Sequence, residues 1–421
     1  MKKPVRILIW QKGQYLLLSF FKNIDSSKAE VKGMDEFGFE AGLWSQTDFD
    51  RIIEVFEPDI VVLDNRCRNA ACIDIPSHIY VCVNCDHICE IFSLIGKRYF
   101  DILHKNDFLY LPMLNADVID TDHVLEDEII RDKIITSPFV PFIPVGKNKA
   151  SKSDNDISII TSLYNIDFFH WAFSIDETTA SGRSLMQFLG ELVPSVQNEL
   201  YMQERLTLED IWIEKEIVRL FDKFGIWQYA RDKERLIKLW VRAVKYVIIP
   251  QENIFNIAIW VIETGYDLKL YGPEWCNHTI FKPYAMGTLP EASEELYTAY
   301  QNSKIIINTN TSLGIHRKTF EAIEFECLLM QADAGSETMV SNYAPYFKDG
   351  ESIVVFRNKK ELLDKIDHYL PDEKARERII AEGKATVKNM KWDTVNVIND
   401  VFDQLIQKIE KTEEKSADWK M

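Results

Sequence analysis

A cluster of potential cations lies at the start of one predicted helix. The segment "GIHRKTFEAIEFECLL" at 314–329 begins with Gly314, continues with His316, Arg317 and Lys318, and then takes on a helical pattern. A helix N-terminus already presents unpaired N–H groups and the positive end of the helix dipole. Additional cations at this position predict an anion opposite them, most simply a phosphate or a diphosphate. His316 is equally well interpreted as an ordinary polar loop residue.

Glu321 follows Arg317 by one helical turn. Residues four positions apart lie on one helix face, and their side chains lean toward the N-terminus, so the Glu321 carboxylate is expected to point back at the loop. A carboxylate repels a phosphate, but it accepts hydrogen bonds from a ribose diol. Diphosphate at the helix start and ribose on Glu321 fit a nucleotide-sugar. In the alternative interpretation, Glu321 stabilises the first helical turn and Arg317 is solvated or forms an ion pair with Glu321.

The chain is acidic, and its cysteines are unevenly placed. Its 421 residues include 49 Lys and Arg against 66 Asp and Glu, for a formal net charge of −17. This charge disfavours nonspecific nucleic-acid binding, which requires phosphate neutralisation, but it permits a local basic pocket. Seven cysteines, five of them within 67–89, favour a reducing compartment over a disulfide framework. The apolar run that begins the chain is too short for a signal peptide or a transmembrane segment, so a cytoplasmic protein is expected.

Short apolar runs alternate with amphipathic helical patterns along both halves of the chain. This alternation indicates βαβ units and doubly wound parallel sheets, so the predicted fold class is α/β with two Rossmann-like domains. The predicted strands are 5–10, 59–65, 79–86, 107–113, 157–164, 266–272, 304–310, 328–333 and 351–357.

The predicted domain order has two α/β domains and a terminal helix. We expect a first domain at 1–146, a polar linker at 147–156 and a second domain at 157–392. The stretch at about 183–249 is too long for one crossover connection and is interpreted as a helical insertion, which serves an acceptor site or a subunit contact such as that of a homo-oligomer. A C-terminal helix with a frayed tail occupies 393–421.

Several loops of the second half are expected to meet at one edge of its sheet. In open parallel sheets, ligands bind outside the carboxyl ends of the strands. Glycines at those ends let the backbone approach a ligand and offer N–H donors. Asn308 also suits a turn at a strand end, without any ligand. The candidate residues in these loops are Gly272, Gly287, Thr288, Asn308, Thr311 and Gly314.

Five segments in order carry a family resemblance. They read "YGPEW", "MGTLPEASEELYTAYQNSKIIINTNT", "GIHRKTFEAIEFECLLMQ", "YFKDGESIVVFRNKKELLDKIDHYL" and "AEGKATVKNMKWDTV". Over about residues 266–400 the chain resembles the donor domain of bacterial GT-B glycosyltransferases, especially the spore-maturation-protein-like group with a glycosyltransferase-1-type C-terminal domain. The first half is similar only through its strands and "VNCD" at 83–86.

The resemblance implies roles for the residues that match. Glu321 would bind the donor ribose, Arg317 and the preceding turn the diphosphate, and the backbone from Gly287 to Leu289 the base. Many retaining relatives have a second glutamate at the position of Leu313, so the stereochemical outcome stays open. The C-terminal helix would cross back to the first domain.

The resemblance also implies a reaction. The enzyme would move a sugar from a nucleotide-sugar to the hydroxyl of an acceptor glycan, protein or small molecule, with no cofactor and no required metal. Asp86 is a candidate base if the reaction inverts, although it equally suits the cap of a following helix. A nucleotide-sugar epimerase and a non-catalytic nucleotide-sugar-binding protein are the alternatives, and Leu313 favours the second.

Other motifs with metal-binding residue types are interpreted as structural. Cys82 and Cys85 lie in an apolar predicted strand, where buried cysteine is ordinary, and with Cys89 they lack a matching distal pair. The Asp-x-Asp triplets are interpreted as solvated charges, and neither a Gly-x-Gly-x-x-Gly motif nor a P-loop is present. These triplets are Asp48/Asp50, Asp120/Asp122 and Asp154/Asp156.

Overall fold

The chain divides into two compact units. The first contains Met1–Pro144 and Lys388–Met421, and the second contains Val145–Val387. The computed structural model describes residues 3–10, 16–37, 46–64, 79–83, 107–111, 133–137, 155–163, 169, 175–229, 232–290, 293–311, 317–335 and 345–418.

The first unit contains a six-stranded, fully parallel sheet in the order β2-β1-β3-β4-β5-β6. The central strands are continuous apolar runs because both of their faces are buried. Two helices of this unit, α1 and α2, are Leu16–Phe21 and Gln46–Phe56. The strands β1 to β6 are Val5–Trp10, Ala29–Gly33, Ile60–Asp64, Ile79–Val83, Asp107–Leu111 and Ile134–Thr136.

The two edge strands of this sheet were missing from the sequence prediction. Strand β2 reads "AEVKG", and its Lys32 Nζ lies 3.0 Å from Glu30 Oε1. Charged side chains suit an edge strand because they reach solvent and discourage pairing with another chain. They also remove the apolar run by which the buried strands were recognised. Strand β6 is only three residues long, which is too short for a periodicity argument.

The last helix, α11 at Thr394–Asp418, belongs to the first unit. Its Asp403 Oδ1 lies 2.8 Å from Lys28 Nζ, and its Asn399 Oδ1 accepts a hydrogen bond from the Asp25 N–H at 3.1 Å. The apolar side chains of Ile398 and Val401 are buried. The helix continues to Asp418, so the expectation of a frayed tail over this charged stretch is wrong up to that residue.

The second unit contains another six-stranded parallel sheet, in the order β12-β11-β10-β7-β8-β9. The prediction of two doubly wound α/β domains is therefore confirmed. Gly287 was placed in a loop by the sequence analysis, but it is the last residue of the edge strand β9. The "AMG" sequence of this strand is too short to be recognised. The strands β7 to β12 are Asn155–Ile160, Leu268–Tyr271, Ala285–Gly287, Ser303–Asn308, Leu328–Ala332 and Val354–Phe356.

Helices connect these strands and contribute the rest of the core. Among the helices in the described ranges, none is both long and apolar enough to cross a membrane. The helices α3 to α10 are Ala180–Gln203, Asp210–Phe224, Lys233–Ala243, Ile249–Ile262, Glu294–Gln301, Arg317–Glu324, Lys359–Tyr369 and Glu373–Met390.

Helices α5 and α6 are joined by a π-helical turn at Val244–Ile248. The predicted helical insertion ended at about residue 249, just before Pro250. A proline inside a helix lacks an N–H group, and its ring clashes with the carbonyl four residues earlier. In the structure, the Ile249 N–H donates to the Val244 carbonyl, five residues back. The wider turn accommodates the proline, so the helix continues. Such π turns are frequent at functional sites.

Candidate functional site

The sheet of the second unit has a topological switch point. From β7 the chain proceeds to β8 and β9 on one side, and β10 then pairs with the opposite side of β7. The crevice at such a point, outside the carboxyl ends of the strands, is the usual ligand site of an open parallel sheet. Residues 161–163 follow β7 and residues 309–311 follow β10.

Gly272 is required by the packing of the loops after β7 and β8. Its φ is +137°, and a Cβ added to it would lie 2.1 Å from the Thr161 carbonyl oxygen. Trp275 Nε1 donates to that same oxygen at 2.7 Å, and the Gly272 N–H donates to the Gly287 carbonyl at 2.9 Å. The Gly272 N–H is thus engaged within the protein, and the residue shapes the crevice.

The candidate base-binding segment lies at the exposed edge of the sheet. Gly287 has a φ of +90°, and an added Cβ would meet no atom within 4 Å. Gly287 and Thr288 are exposed, and Leu289 is half-buried. The open space beside this backbone suits the close approach of a flat ring.

The carboxyl end of β10 is fixed by a side-chain network. Asn308 is fully buried; its Nδ2 donates to Gln331 Oε1 at 2.8 Å, and its Oδ1 accepts from the Asn310 N–H at 3.2 Å. Gln331 Nε2 in turn donates to the Asn310 carbonyl at 2.9 Å. The turn-forming interpretation of Asn308 thus agrees with the structure. The residue orders the loop, and Gln331 is a partner that the sequence analysis missed.

Thr311 ends the described part of this loop and is buried. Its Oγ1 accepts a hydrogen bond from Asn253 Nδ2 at 3.2 Å, and the same Nδ2 donates to the Leu206 carbonyl at 2.8 Å. Helix α6 therefore holds the loop from the side opposite to Gln331. Asn253 was also missed, because nothing in its own helix distinguishes it from a surface residue.

Arg317 and Glu321 form an ion pair at the start of α8. Arg317 Nε lies 3.1 Å from Glu321 Oε1, and the two side chains are only 16% and 6% exposed. The other carboxylate oxygen, Oε2, accepts a hydrogen bond from the Tyr300 hydroxyl at 2.7 Å. Burial, reinforced by the Glu321 charge, raises the pKa of Tyr300 well above its ordinary value, so the hydroxyl remains a donor.

Lys318 adds a second cation beside this pair. It is half-buried, and burial lowers its pKa to about 8, with a smaller effect of the Arg317 charge in the same direction and an opposing effect of Glu321. An anion bound at the helix start would favour the protonated form. The start of the helix thus contains two cations and one carboxylate. The Arg317–Glu321 contact is the ion pair of the alternative interpretation, and ligand binding by these residues stays a prediction.

A further ion pair lies at the next strand ends along the same edge. Asp333 Oδ2 is 3.1 Å from Arg357 Nε, and Asp333 Oδ1 accepts a hydrogen bond from the Gly335 N–H at 2.8 Å. Asp333 is buried, whereas Arg357 is half exposed. The Asp333 carboxylate therefore stabilises the loop that follows β11.

Several residues considered in the sequence analysis lie outside the described residues, namely Asp86, Leu313, Gly314, His316, Cys85, Cys89, Asp120, Asp122 and Asp154. Within the part of the chain that the structure describes, no group of three or more His, Cys, Asp or Glu residues could hold a metal ion. Asp156, from one of the Asp-x-Asp triplets, has its Oδ1 2.6 Å from Lys304 Nζ. That triplet therefore contributes an ion pair.

A comparison with protein families bears on the later part of the second unit and on the segment that follows it. Residues 257–403 match the family described as glycosyl transferase-like. The match begins within α6, ends within α11, and contains Gly272, Arg317 and Glu321. A search of the curated proteins found no match.

A comparison with solved structures found several that are similar to this chain. HepE of Anabaena, solved in complex with UDP-glucose, is 11% identical with a TM-score of 0.46, and the alignment covers 96% of this chain and 99% of that one. The O-GlcNAc transferase of Thermobaculum terrenum is 10% identical with a TM-score of 0.49, and the alignment covers 98% of this chain and 69% of that one. TarM is 9% identical with a TM-score of 0.41, over 82% of this chain and 54% of its own. The chain thus spans about half the length of TarM.

Proposed function

We propose that the protein is a GT-B glycosyltransferase that moves a sugar from a nucleotide-sugar donor to an acceptor hydroxyl. The observation that carries this proposal is the Arg317–Glu321 ion pair, braced by Tyr300 at a helix start beside the carboxyl end of β10. It lies inside the segment that matches the glycosyl transferase-like family. The order of motifs over 266–400 further supports the spore-maturation-protein-like group.

Arg317 is assigned to the donor diphosphate. Its Nε faces Glu321, and the rest of its planar guanidinium is suited to two phosphate oxygens at once. Negative charge accumulates on the diphosphate as the bond to the sugar breaks. Arg317, Lys318 and the first N–H groups of α8 stabilise that charge, so the step requires no metal ion.

Glu321 is assigned to the donor ribose. Each carboxylate oxygen has two acceptor directions; the Tyr300 hydroxyl uses one on Oε2, and Oε1 forms the ion pair with Arg317. The remaining directions accept hydrogen bonds from the ribose hydroxyls. The same carboxylate also orients Arg317, so ribose and diphosphate are positioned together.

The other parts of the substrate are assigned by the family resemblance. The backbone of Gly287, Thr288 and Leu289 contacts the base, and the loops with Thr311, Gly314 and His316 surround the donor. The first domain holds the acceptor, a glycan, protein or small molecule, with Asp86 as the base if the reaction inverts. The setting we propose is bacterial glycoconjugate or protein glycosylation in the cytoplasm.

A thermal-shift panel tests this proposal. UDP, GDP and dTDP, with a matching sugar nucleotide for each, are added to the wild-type protein, Arg317→Ala and Glu321→Ala. We expect one preferred base and a smaller shift in both variants. Arg219→Ala is the control, because Arg219 pairs with Glu216 at 2.7 Å on the surface of α4. Equal ligand-induced shifts of the melting temperature in all four proteins would show that the nucleotide does not bind at Arg317 and Glu321.

Product analysis with the preferred sugar nucleotide then identifies the reaction. A glycosyltransferase releases the nucleoside diphosphate in an acceptor-dependent reaction. An epimerase converts the sugar nucleotide without any acceptor, and a binding protein leaves it intact. Either of the last two results would replace the proposed activity while keeping the site.

A further inference from the structure

The first two turns of α6 contain buried polar atoms that have no hydrogen-bond partner among the described residues. Three amide oxygens, Gln251 Oε1, Asn253 Oδ1 and Asn256 Oδ1, are buried and have no hydrogen-bond partner in the described chain. Glu252, between the first two, is 8% exposed. Burial alone raises its pKa to about 8, so its carboxyl is largely protonated at neutral pH.

The beginning of α6 lies at the carboxyl edge of the sheet. The chain leaves β7, passes through α6 and enters β8, which is parallel to β7. A helix that leads directly into a parallel strand runs antiparallel to it, so the beginning of α6 lies at the carboxyl edge. The hydrogen bond of Asn253 Nδ2 to Thr311 Oγ1 at 3.2 Å confirms this position. Thr311 precedes Arg317 by six residues.

Buried polar atoms without partners lower the stability of the folded protein when no ligand is bound. A buried polar group without a partner destabilises the folded protein relative to one that is hydrogen-bonded. A cluster with this cost is typical of a site where a ligand or ordered water completes the hydrogen bonds.

The chemistry of the cluster favours hydroxyl groups over phosphate. Three amide oxygens accept hydrogen bonds, and a protonated carboxyl both donates and accepts. A phosphate offers mainly acceptor oxygens and would be repelled by the amide oxygens. Sugar hydroxyls donate and accept, and they match the set.

We propose that Glu252 and Asn253 bind hydroxyl groups of the donor sugar, at the crevice where Arg317 and Glu321 bind its nucleotide. This inference rests on the proposed function, because it assigns the sugar end of the same donor. Asn253 uses its Nδ2 to hold Thr311 and the Leu206 carbonyl, and its Oδ1 receives a sugar hydroxyl.

Calorimetric titration of paired ligands tests the inference. The ligands are UDP with UDP-glucose and UDP-N-acetylglucosamine, and GDP with GDP-mannose. The proteins are wild type, Glu252→Met, Glu252→Ala and Glu252→Gln. The control is Glu216→Gln, on α4, where Glu216 already accepts a hydrogen bond from Ser195 at 2.6 Å.

The sugar nucleotide and the free diphosphate are expected to respond differently. Glu252→Met and Glu252→Ala should lower the affinity for the preferred sugar nucleotide roughly tenfold. The affinity for the free diphosphate should stay within about twofold of the wild-type value. Glu252→Gln keeps hydrogen-bonding groups, so its affinities for both ligands should stay within about threefold of the wild-type values. A purely structural role would change the melting temperature without changing the ratio of the two affinities.

Two results overturn the inference, and they are distinguishable. If neither Glu252→Met nor Glu252→Ala changes that ratio, the sugar does not bind here and the proposed function still holds. If the wild-type protein binds none of the diphosphates or sugar nucleotides, the proposed function and this inference both fall. Glu252→Ala gives the same readout if the bulkier variant does not fold.

Discussion

Arg317 Nε lies 3.1 Å from Glu321 Oε1, one helical turn away, and the Tyr300 hydroxyl holds the other carboxylate oxygen at 2.7 Å. Three residues from two helices thus form one rigid unit at the start of α8. The carboxylate orients the guanidinium while keeping acceptor capacity of its own. This arrangement suits a site where positive charge and ribose recognition must be positioned together.

Tyr300→Phe should loosen this unit without removing its charges. The change leaves Glu321 Oε2 without its buried donor, so we expect a loss of about 1–3 kcal/mol in the free energy of unfolding. Diphosphate affinity should fall roughly threefold to tenfold, because Arg317 is less well oriented. Urea unfolding and calorimetry measure the two effects.

Tyr266→Phe is the matched control for that variant. Its hydroxyl also donates to a carboxylate, Asp367 Oδ1, at 3.0 Å, but on the exposed surface. We expect little change in stability and none in affinity. Equal effects of the two variants on affinity would show that Tyr300 has no special connection to the site.

Gly272→Ala should destabilise the second unit. The residue has a φ of +137°, and the new Cβ would lie 2.1 Å from the Thr161 carbonyl oxygen. The backbone strain alone costs about 1–3 kcal/mol, and the displaced carbonyl adds to it. Chemical unfolding is the measurement. Gly190→Ala, within α3 and with nothing inside 4 Å of the new Cβ, should instead stabilise by about 0.5–1 kcal/mol.

Glu252 should make stability depend on pH. Its pKa is raised from 4.5 to about 8 in the folded protein. Below the lower value both states are protonated, and between the two values only the folded state keeps the proton. The free energy of unfolding therefore falls by roughly 1.4 kcal/mol per pH unit through this window and levels off above it.

Glu252→Gln should remove the pH dependence that Glu252 gives to the free energy of unfolding. The stability of the variant relative to wild type should rise across this window, measured by urea unfolding at about pH 5.5, 6.5 and 7.5. A constant difference between the two proteins would mean that Glu252 is not buried as described.

Lys318 should make diphosphate binding weaker in alkali. With its pKa lowered to about 8, it loses its charge as the pH rises through that value. Affinity for a diphosphate should fall by about threefold to tenfold above pH 8 in addition to any effect of the ligand. Lys318→Arg keeps its charge and should show a flat profile, as titration calorimetry can measure. Matching slopes in both proteins would assign the titration to another group.

The sequence predicted the buried strands and the helix start because these have local signals. Apolar runs such as β1 and β10 are recognisable by themselves, and the relation of Arg317 to Glu321 follows from helical periodicity. Strand β2 was missed because its exposed position at the edge admits Glu30 and Lys32.

The partners of the site residues were not predictable in the same way. Tyr300, Gln331 and Asn253 reach the site from elements distant in sequence, and their types are common in ordinary helices and strands. Only the folded structure shows that their side chains contact Glu321, Asn308 and Thr311.

A crystal structure with the preferred nucleoside diphosphate tests the central claim most directly. The account predicts the diphosphate at the start of α8, within hydrogen-bonding distance of Arg317, and a ribose hydroxyl on Glu321. A diphosphate bound elsewhere, with the Arg317–Glu321 pair unoccupied, would contradict it.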